Sequence, residues 1–330
     1  MMRPGTTSGA PSRLEDPDPV TVSEVAARAR PQSGRSRANA LGPALAAPGI
    51  LWLLLFFVGP LYVVLAIVFG RTDPIFRTAV PVWNPLQWNP SQFNYVLTRI
   101  FGADGVFGPA LLRTAIYVVT AGVLCVLIAF PVAYYTARLS GRWKGLLLAL
   151  LIAPFWISYM MRMLAWVNLL QDDGLVNRLF SMGGLFDVRV HWLTGQPVVV
   201  VLGLVYGYVA YMILPLYAGL DRLPQSTLEA ARDLGASRAA SFWRVTLPMC
   251  RPTIIAAVLL TCLPMLGDYF TSDMLSASPK TSMAGNLIND SVQSPGQTGQ
   301  AGALVMLVLL VAVLPMFYYV RATARGDVSS

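Results

Sequence analysis

Charge is scarce in this sequence: Asp, Glu, Lys and Arg together make up 12% of 330 residues, whereas hydrophobic residues make up 55%. A water-facing globule of this length carries about twice that share of charge. Lysine occurs only at Lys144 and Lys280 and histidine only at His191. No GxxxxGK[ST] segment is present, so no phosphate-cradling lysine is available and the chain is not expected to hydrolyse nucleotides. A lone imidazole without cysteine or carboxylate spacing does not make a metal site. The three cysteines, Cys125, Cys250 and Cys262, show no CxxC spacing and sit in or beside apolar runs, where they read as reduced packing residues.

What is present is apolar sequence in lengths that match a bilayer. Stretches at Leu45–Phe69, Thr114–Ala137, Gly145–Leu170, Val198–Leu220, Thr253–Phe270 and Ala301–Val320 approach or exceed the ~20 residues needed to cross. Lipid offers backbone amides no partner, so these must be helices, and nothing alternates like a barrel strand. The expectation is an all-α, polytopic membrane protein with six transmembrane helices. Pro60, Pro131, Pro154, Pro215, Pro264 and Pro315 fall in these spans and allow kinks. Residues 1–40, rich in Pro, Ser, Gly and Arg, bury too little apolar surface to order and are expected to be a disordered tail. Residues 41–330 then form the membrane domain, and no cleavable signal peptide is apparent.

The formal charge of +8 comes from arginines scattered through loops, which points to membrane orientation rather than to nucleic acid. Sixteen basic residues fall on the side of both termini and the 221–252 loop, against seven on the other side. The positive-inside rule makes the first side cytoplasmic.

That loop carries the most informative segment, Leu228, Glu229, Ala230, Ala231, Arg232, Asp233, Leu234 and Gly235. It reads as a short helix capped by Ser226 or Thr227, with Glu229 in its first turn and Gly235 ending it in a left-handed conformation. A second helical stretch then rises to Pro248. Two alanines give a surface another protein can approach closely, and Leu228 and Leu234 offer apolar anchors; the competing reading is an amphipathic helix lying at the headgroups.

Glu229-Ala230-Ala231, Gly235 and Val245-Thr246-Leu247-Pro248 together resemble the EAA motif of permease subunits of ATP-binding cassette (ABC) importers. Ala153-Pro154-Phe155-Trp156-Ile157-Ser158, Asp173-Gly174-Leu175-Val176-Asn177, Leu263-Pro264 with Gly267-Asp268, and Gly285-Asn286 resemble the spermidine/putrescine-type, B-type permeases. This resemblance implies a type I importer permease of MetI-like fold and assigns 228–235 as the coupling helix. It also implies the partners: two copies of an ATP-binding subunit that holds the ATP and magnesium, a second permease subunit, an extracytoplasmic solute-binding protein and membrane lipid. The cargo it implies is a polyamine or similar cation; another small solute is the alternative, and a secondary transporter a remote one, since no coupling-ion site or inverted repeat is visible. Candidate pathway residues are Arg162 and Asp268, charged groups within spans, Asp273 at the external mouth, and Tyr159, Trp166 and Tyr269 for cation–π contact. For Arg162 and Asp268 a purely architectural role competes. External Trp83, Trp88 and Trp192 fit an interfacial aromatic belt.

Overall fold

A computed structural model describes residues 46–102, 105–182 and 190–326; the expected tail over 1–40 lies outside them. The chain divides into two compact units, Met1–Pro60 and Leu61–Ser330. In the first, the described residues are helical and their large apolar side chains from Ile50 to Val58 are exposed, as suits a segment that meets lipid or another subunit. They begin helix α1, Ala46–Val68.

In the second unit a two-residue hairpin, β1 (Arg71–Thr72) against β2 (Ala79–Val80), opens a loop closed by α2 (Ser91–Phe101). The long α3 (Phe107–Arg138) is followed by α4 (Lys144–Ile152), α5 (Tyr159–Leu170) and α6 (Leu175–Met182). Then come α7 (Pro197–Asp221), the short α8 (Gln225–Asp233) and α9 (Arg238–Leu266). Two short helices, α10 (Phe270–Leu275) and α11 (Ala284–Gln293), precede α12 (Thr298–Gly326).

Five helices, α1, α3, α7, α9 and α12, are each long and apolar enough to span a membrane, and the sixth expected span is broken. The helical segments Gly141–Trp156 and Tyr159–Ser181 meet at 87°. The cause lies in Ala153-Pro154: α4 stops at Ile152, a tight turn carries Pro154, and Ile157 and Ser158 leave helical geometry. The other span prolines, Pro60, Pro131, Pro215, Pro264 and Pro315, lie inside continuous helices. Proline at membrane depth is tolerated where neighbours satisfy the freed carbonyl.

The fifth span also differs from expectation. Its helix starts at Arg238, runs through Pro248 and Pro252, and ends at Leu266 rather than Phe270. A widened turn at Phe242–Thr246 precedes Leu247-Pro248 and absorbs the hydrogen bond that proline cannot make.

The core is the seam where α3, α7 and α9 pack, centred on Ala121, Cys125, Ala129, Leu204, Met212, Leu216, Ala257 and Met265. Small residues set the spacing, as expected where helices associate by close packing rather than by exclusion from water. A Cβ on Gly122 would fall 2.8 Å from Cys262 Sγ. Buried hydroxyls on these helices satisfy themselves on the preceding turn: Thr136 Oγ1 donates to Val132 O at 2.8 Å, and Thr261 Oγ1 to Ala257 O at 2.8 Å. At the α8 end the elements are tied by Arg138 Nη2 donating to Leu223 O at 2.8 Å and by the Lys144–Asp221 ion pair at 2.6 Å.

Candidate functional site

The loop helix α8 is held at both ends by backbone geometry. Pro224 is its N-cap, with φ −62° and extended ψ, and no side chain caps the exposed amides. Ser226 and Thr227 therefore lie inside the helix, and Glu229 falls past the first turn; both expectations are corrected because the rigid proline fixes the entry two to three residues earlier. The exit is as expected. Gly235 adopts φ +86°, its N–H donates to Arg232 O at 2.8 Å, and Ala236 N–H donates to Ala231 O at 3.1 Å. Ser237 then caps α9 through its hydroxyl, which accepts from Ala240 N at 3.2 Å.

The two expected anchors part company. Leu234 is 89% exposed, whereas Leu228 is half-buried and, with the exposed Gln225, Glu229 and Arg232, lines a cavity between α8 and the ends of α3 and α9. Ala230 and Asp233 lie on the outward side, beside Leu234 and Gly235.

At the other end of the bundle α9 stops at Leu266 and the chain turns through Gly267-Asp268-Tyr269. Asp268 is 6% exposed and fully supplied with donors. Its Oδ2 accepts from Tyr159 Oη at 2.9 Å, Tyr208 Oη at 3.1 Å and Thr271 Oγ1 at 2.7 Å; its Oδ1 accepts from Thr271 N at 3.0 Å. One carboxylate thus joins α5, α7 and α10. Four donors are what a carboxylate buried at membrane depth requires. Tyr159 reaches it because Gly207 on α7 carries no side chain: a Cβ there would fall 2.6 Å from Tyr159 Cε2.

Arg162, 8% exposed, lies one turn along α5. Its guanidinium sits 5.6 Å from the Phe155 ring centre and 5.4 Å from that of Tyr159, and its Nε has no hydrogen-bond partner. Among the described residues it makes no ion pair, so ring faces rather than an acid stabilise it. Trp166 packs edge-on to Tyr206 at 5.4 Å and belongs with Tyr159 to the cluster around Met163, Leu170, Val199 and Leu275.

Asp273 and Tyr269 lie beyond α9. Asp273 Oδ1 accepts from Asn286 Nδ2 at 2.7 Å; the same amide group donates to Tyr269 O at 3.1 Å and accepts from Ser272 Oγ at 2.6 Å. Asp273 faces a cavity of about 550 Å³ that Arg113, Asn286 and Asp290 also line. Burial pushes its carboxyl above the ordinary range, the Asn286 hydrogen bond opposes this, and the charge of Asp290 adds to it. The Tyr269 ring is exposed and packs edge-on to Phe270.

Sequence reasoning did not single out Tyr208, Thr271 or Asn286 for these roles, although Asn286 stood in a recognised segment. It also left His191 without a partner: Nδ1 lies 2.8 Å from Asp172 Oδ1. The expected belt tryptophans are loop anchors at two places. Trp192 Nε1 donates to Asn177 Oδ1 at 2.9 Å, and Trp88 Nε1 to Val82 O at 2.8 Å while its ring stacks on Phe69.

The chain, with its broken third span, its small-residue seam and the short α8 between its fourth and fifth spans, is a permease subunit of an ABC importer. The chain belongs to the family described as binding-protein-dependent transport system inner membrane component, whose sequence pattern matches residues 126–324. It is 30% identical over 277 residues to the spermidine/putrescine transport system permease protein PotB of Haemophilus influenzae, covering 81% of this chain and 89% of the relative. The Escherichia coli K12 protein of the same description is 30% identical over 273 residues, covering 82% and 94%. A chain in the crystal structure of a bacterial ABC transporter involved in the import of the acidic polysaccharide alginate shares the fold, with TM-score 0.64 and 19% identity over 88% of this chain and 96% of that one. The fold is that of type I, MetI-like importer permeases, as the sequence implied.

Proposed function

We propose that this permease carries a polyamine-like cation inward, and that residues 228–235 couple its bundle to a separate ATP-hydrolysing subunit present in two copies. A second permease subunit completes the pore, an extracytoplasmic binding protein delivers the solute, and ATP and magnesium stay in the partner. Both termini and α8 are cytoplasmic in this reading, which the excess of basic residues on their side supports.

The observation that carries the coupling assignment is the outward face of α8. Leu234 is an unpartnered apolar side chain at the tip of a loop, next to small Ala230 and a left-handed Gly235, in a segment that completes the EAA pattern. Such a knob seats in a partner's groove, and the rigid run from Ser237 into α9 transmits its displacement along roughly 40 Å of helix. The cargo assignment rests on likeness to the spermidine/putrescine permeases. Asp268 is buried and already accepts four hydrogen bonds from its own chain, so within the candidate pathway it acts with Tyr159 and Arg162 as a braced wall. Asp273, Tyr269 and Trp166 are the groups left to meet solute.

Leu234→Glu is the direct test. It places a charge where nothing in the permease is touched, so the bundle stays folded, while the ATPase subunit no longer co-purifies and uptake into proteoliposomes is lost. Normal uptake by this variant removes the coupling assignment. Binding-protein thermal shift with spermidine and putrescine tests the cargo, and stabilisation by a different solute alone displaces it.

A further inference from the structure

A second cavity, of about 530 Å³, opens between the end of α3, the inward stripe of α8 and the start of α9. Arg138, Arg232 and Arg238 line it with Glu229 as the one carboxylate, leaving two positive charges in excess. Among the described residues none of the three arginines forms an ion pair. Arg138 donates one bond from Nη2 to Leu223 O, and its Nε is buried without any partner. The buried hydroxyl-bearing residues Ser241 and Thr246 complete the wall. Three guanidinium groups facing a single carboxylate, one of them with an unused donor, form a receptor for an anion with several acceptor oxygens.

The depth of the cavity selects the anion. Exposed Tyr135 and Trp243 adjoin its lining residues Tyr134 and Phe242 in sequence, Leu139 on its wall is largely exposed, and a few residues on Arg142 lies 5.5 Å from the ring centre of exposed Trp143. Amphipathic aromatics with basic neighbours at the end of a span mark the headgroup level of a bilayer. We propose that the cavity holds the phosphodiester headgroup of an anionic lipid of the cytoplasmic leaflet, whose acyl chains run down the exposed apolar face of α3. Basic pockets between spans on that side are where such headgroups bind. The bound headgroup bridges Arg138 on the bundle to Arg232 and Arg238 on the α8–α9 elbow, stiffening the element that the ATPase moves. This rests on the reading of that elbow as cytoplasmic and coupling.

The test uses the complete importer, purified with its ATPase and second permease in nanodiscs of phosphatidylglycerol or of phosphatidylcholine. Native mass spectrometry is expected to show retained phosphatidylglycerol on the wild type and its loss from the Arg138→Gln/Arg238→Gln double variant. Arg142→Gln, at the rim, retains it. Transport-linked ATP hydrolysis is expected to be several-fold lower in phosphatidylcholine. Equal retention by the double variant overturns the proposal. So does restoration of activity in phosphatidylcholine by millimolar inorganic phosphate, which makes the occupant a free anion. Lipid that appears only after the ATPase subunit is stripped away also overturns it, because the partner then fills the cavity. Should the double variant fail to fold, Ser241→Asp places a carboxylate in the same wall and must likewise expel the lipid; retention there is equally fatal. Failure of the coupling reading shows instead as normal uptake by Leu234→Glu, an outcome that leaves lipid retention unaffected.

Discussion

The Tyr159 hydroxyl donates to the Asp268 carboxylate at 2.9 Å, linking the residue that restarts helix after the break in the third span to the turn that ends the fifth. Two interruptions at the same end of the bundle thus satisfy each other, and Tyr208 and Thr271 close the network from α7 and α10. Irregular backbone at membrane depth persists only where protein groups cover it in this way.

Replacing Asp268 with Ala strands two tyrosine hydroxyls, a threonine hydroxyl and the Thr271 amide. Each loses its acceptor at a site where Asp268 is 6% exposed and Thr271 fully buried, for a combined cost of about 3 kcal/mol or more. The expected outcome is a lower melting temperature of the detergent-purified complex, with uptake per folded transporter reduced through kcat rather than KM. A raised KM at unchanged melting temperature would make Asp268 a solute-contacting group instead.

Gly207→Val tests the same junction from the other side. Its Cβ would press on the Tyr159 ring, and either the ring leaves Asp268 or α5 shifts from α7, at about 1–3 kcal/mol. Tyr159→Ala in the same chain removes the clash, so the double variant is expected to be more stable than the two single costs added together. Strict additivity in thermal or denaturant melts would show that the two positions do not touch.

These contacts mark how far the sequence could be read. Spans were legible because apolar length is imposed by lipid, and Gly235 because a left-handed helix exit favours one residue type. The break after the third span's first half was less so: Pro154 looks no different from Pro131 or Pro215, which sit in unbroken helices. What separates them is tertiary, since Tyr159, the first residue after the break, finds its partner in Asp268 across the bundle. The α8 entry was misread for a local reason, as Pro224 supplies by ring geometry what Ser226 was expected to supply by a hydrogen bond. Tyr208 gave no signal, because its partner stands 60 residues away and its neighbours are all apolar.

Gly235→Val places a β-branched residue at φ +86°, in open space but in a conformation such side chains avoid. The strain, about 1–2 kcal/mol, is relieved by unwinding the last turn of α8, which moves Leu234 relative to the bundle. Permease expression and melting should change little, while ATP hydrolysis loses its stimulation by loaded binding protein. Gly235→Asn, a residue that tolerates left-handed geometry, should restore most of it; equal loss in both variants would assign the defect to bulk rather than to backbone.

Asp273 gives the pH dependence a sign. Burial raises its carboxyl above the ordinary value, with the Asn286 hydrogen bond opposing and Asp290 adding. A raised folded-state value means that the stability this group contributes is complete below the ordinary carboxyl range of about 4 and is lost as pH rises through the elevated one. The charge that attracts an amine follows the opposite course and appears only as pH climbs through that same window. Uptake KM for a polyamine is therefore expected to fall as external pH rises from the ordinary carboxyl range through the elevated one, and Asp273→Asn should flatten this limb while slightly stabilising the fold at neutral pH. The measurement is proteoliposome uptake with saturating binding protein, across external pH at fixed internal pH. An Asp273→Asn profile that overlays the wild type would place the proton-sensitive group elsewhere and remove Asp273 from the solute's path.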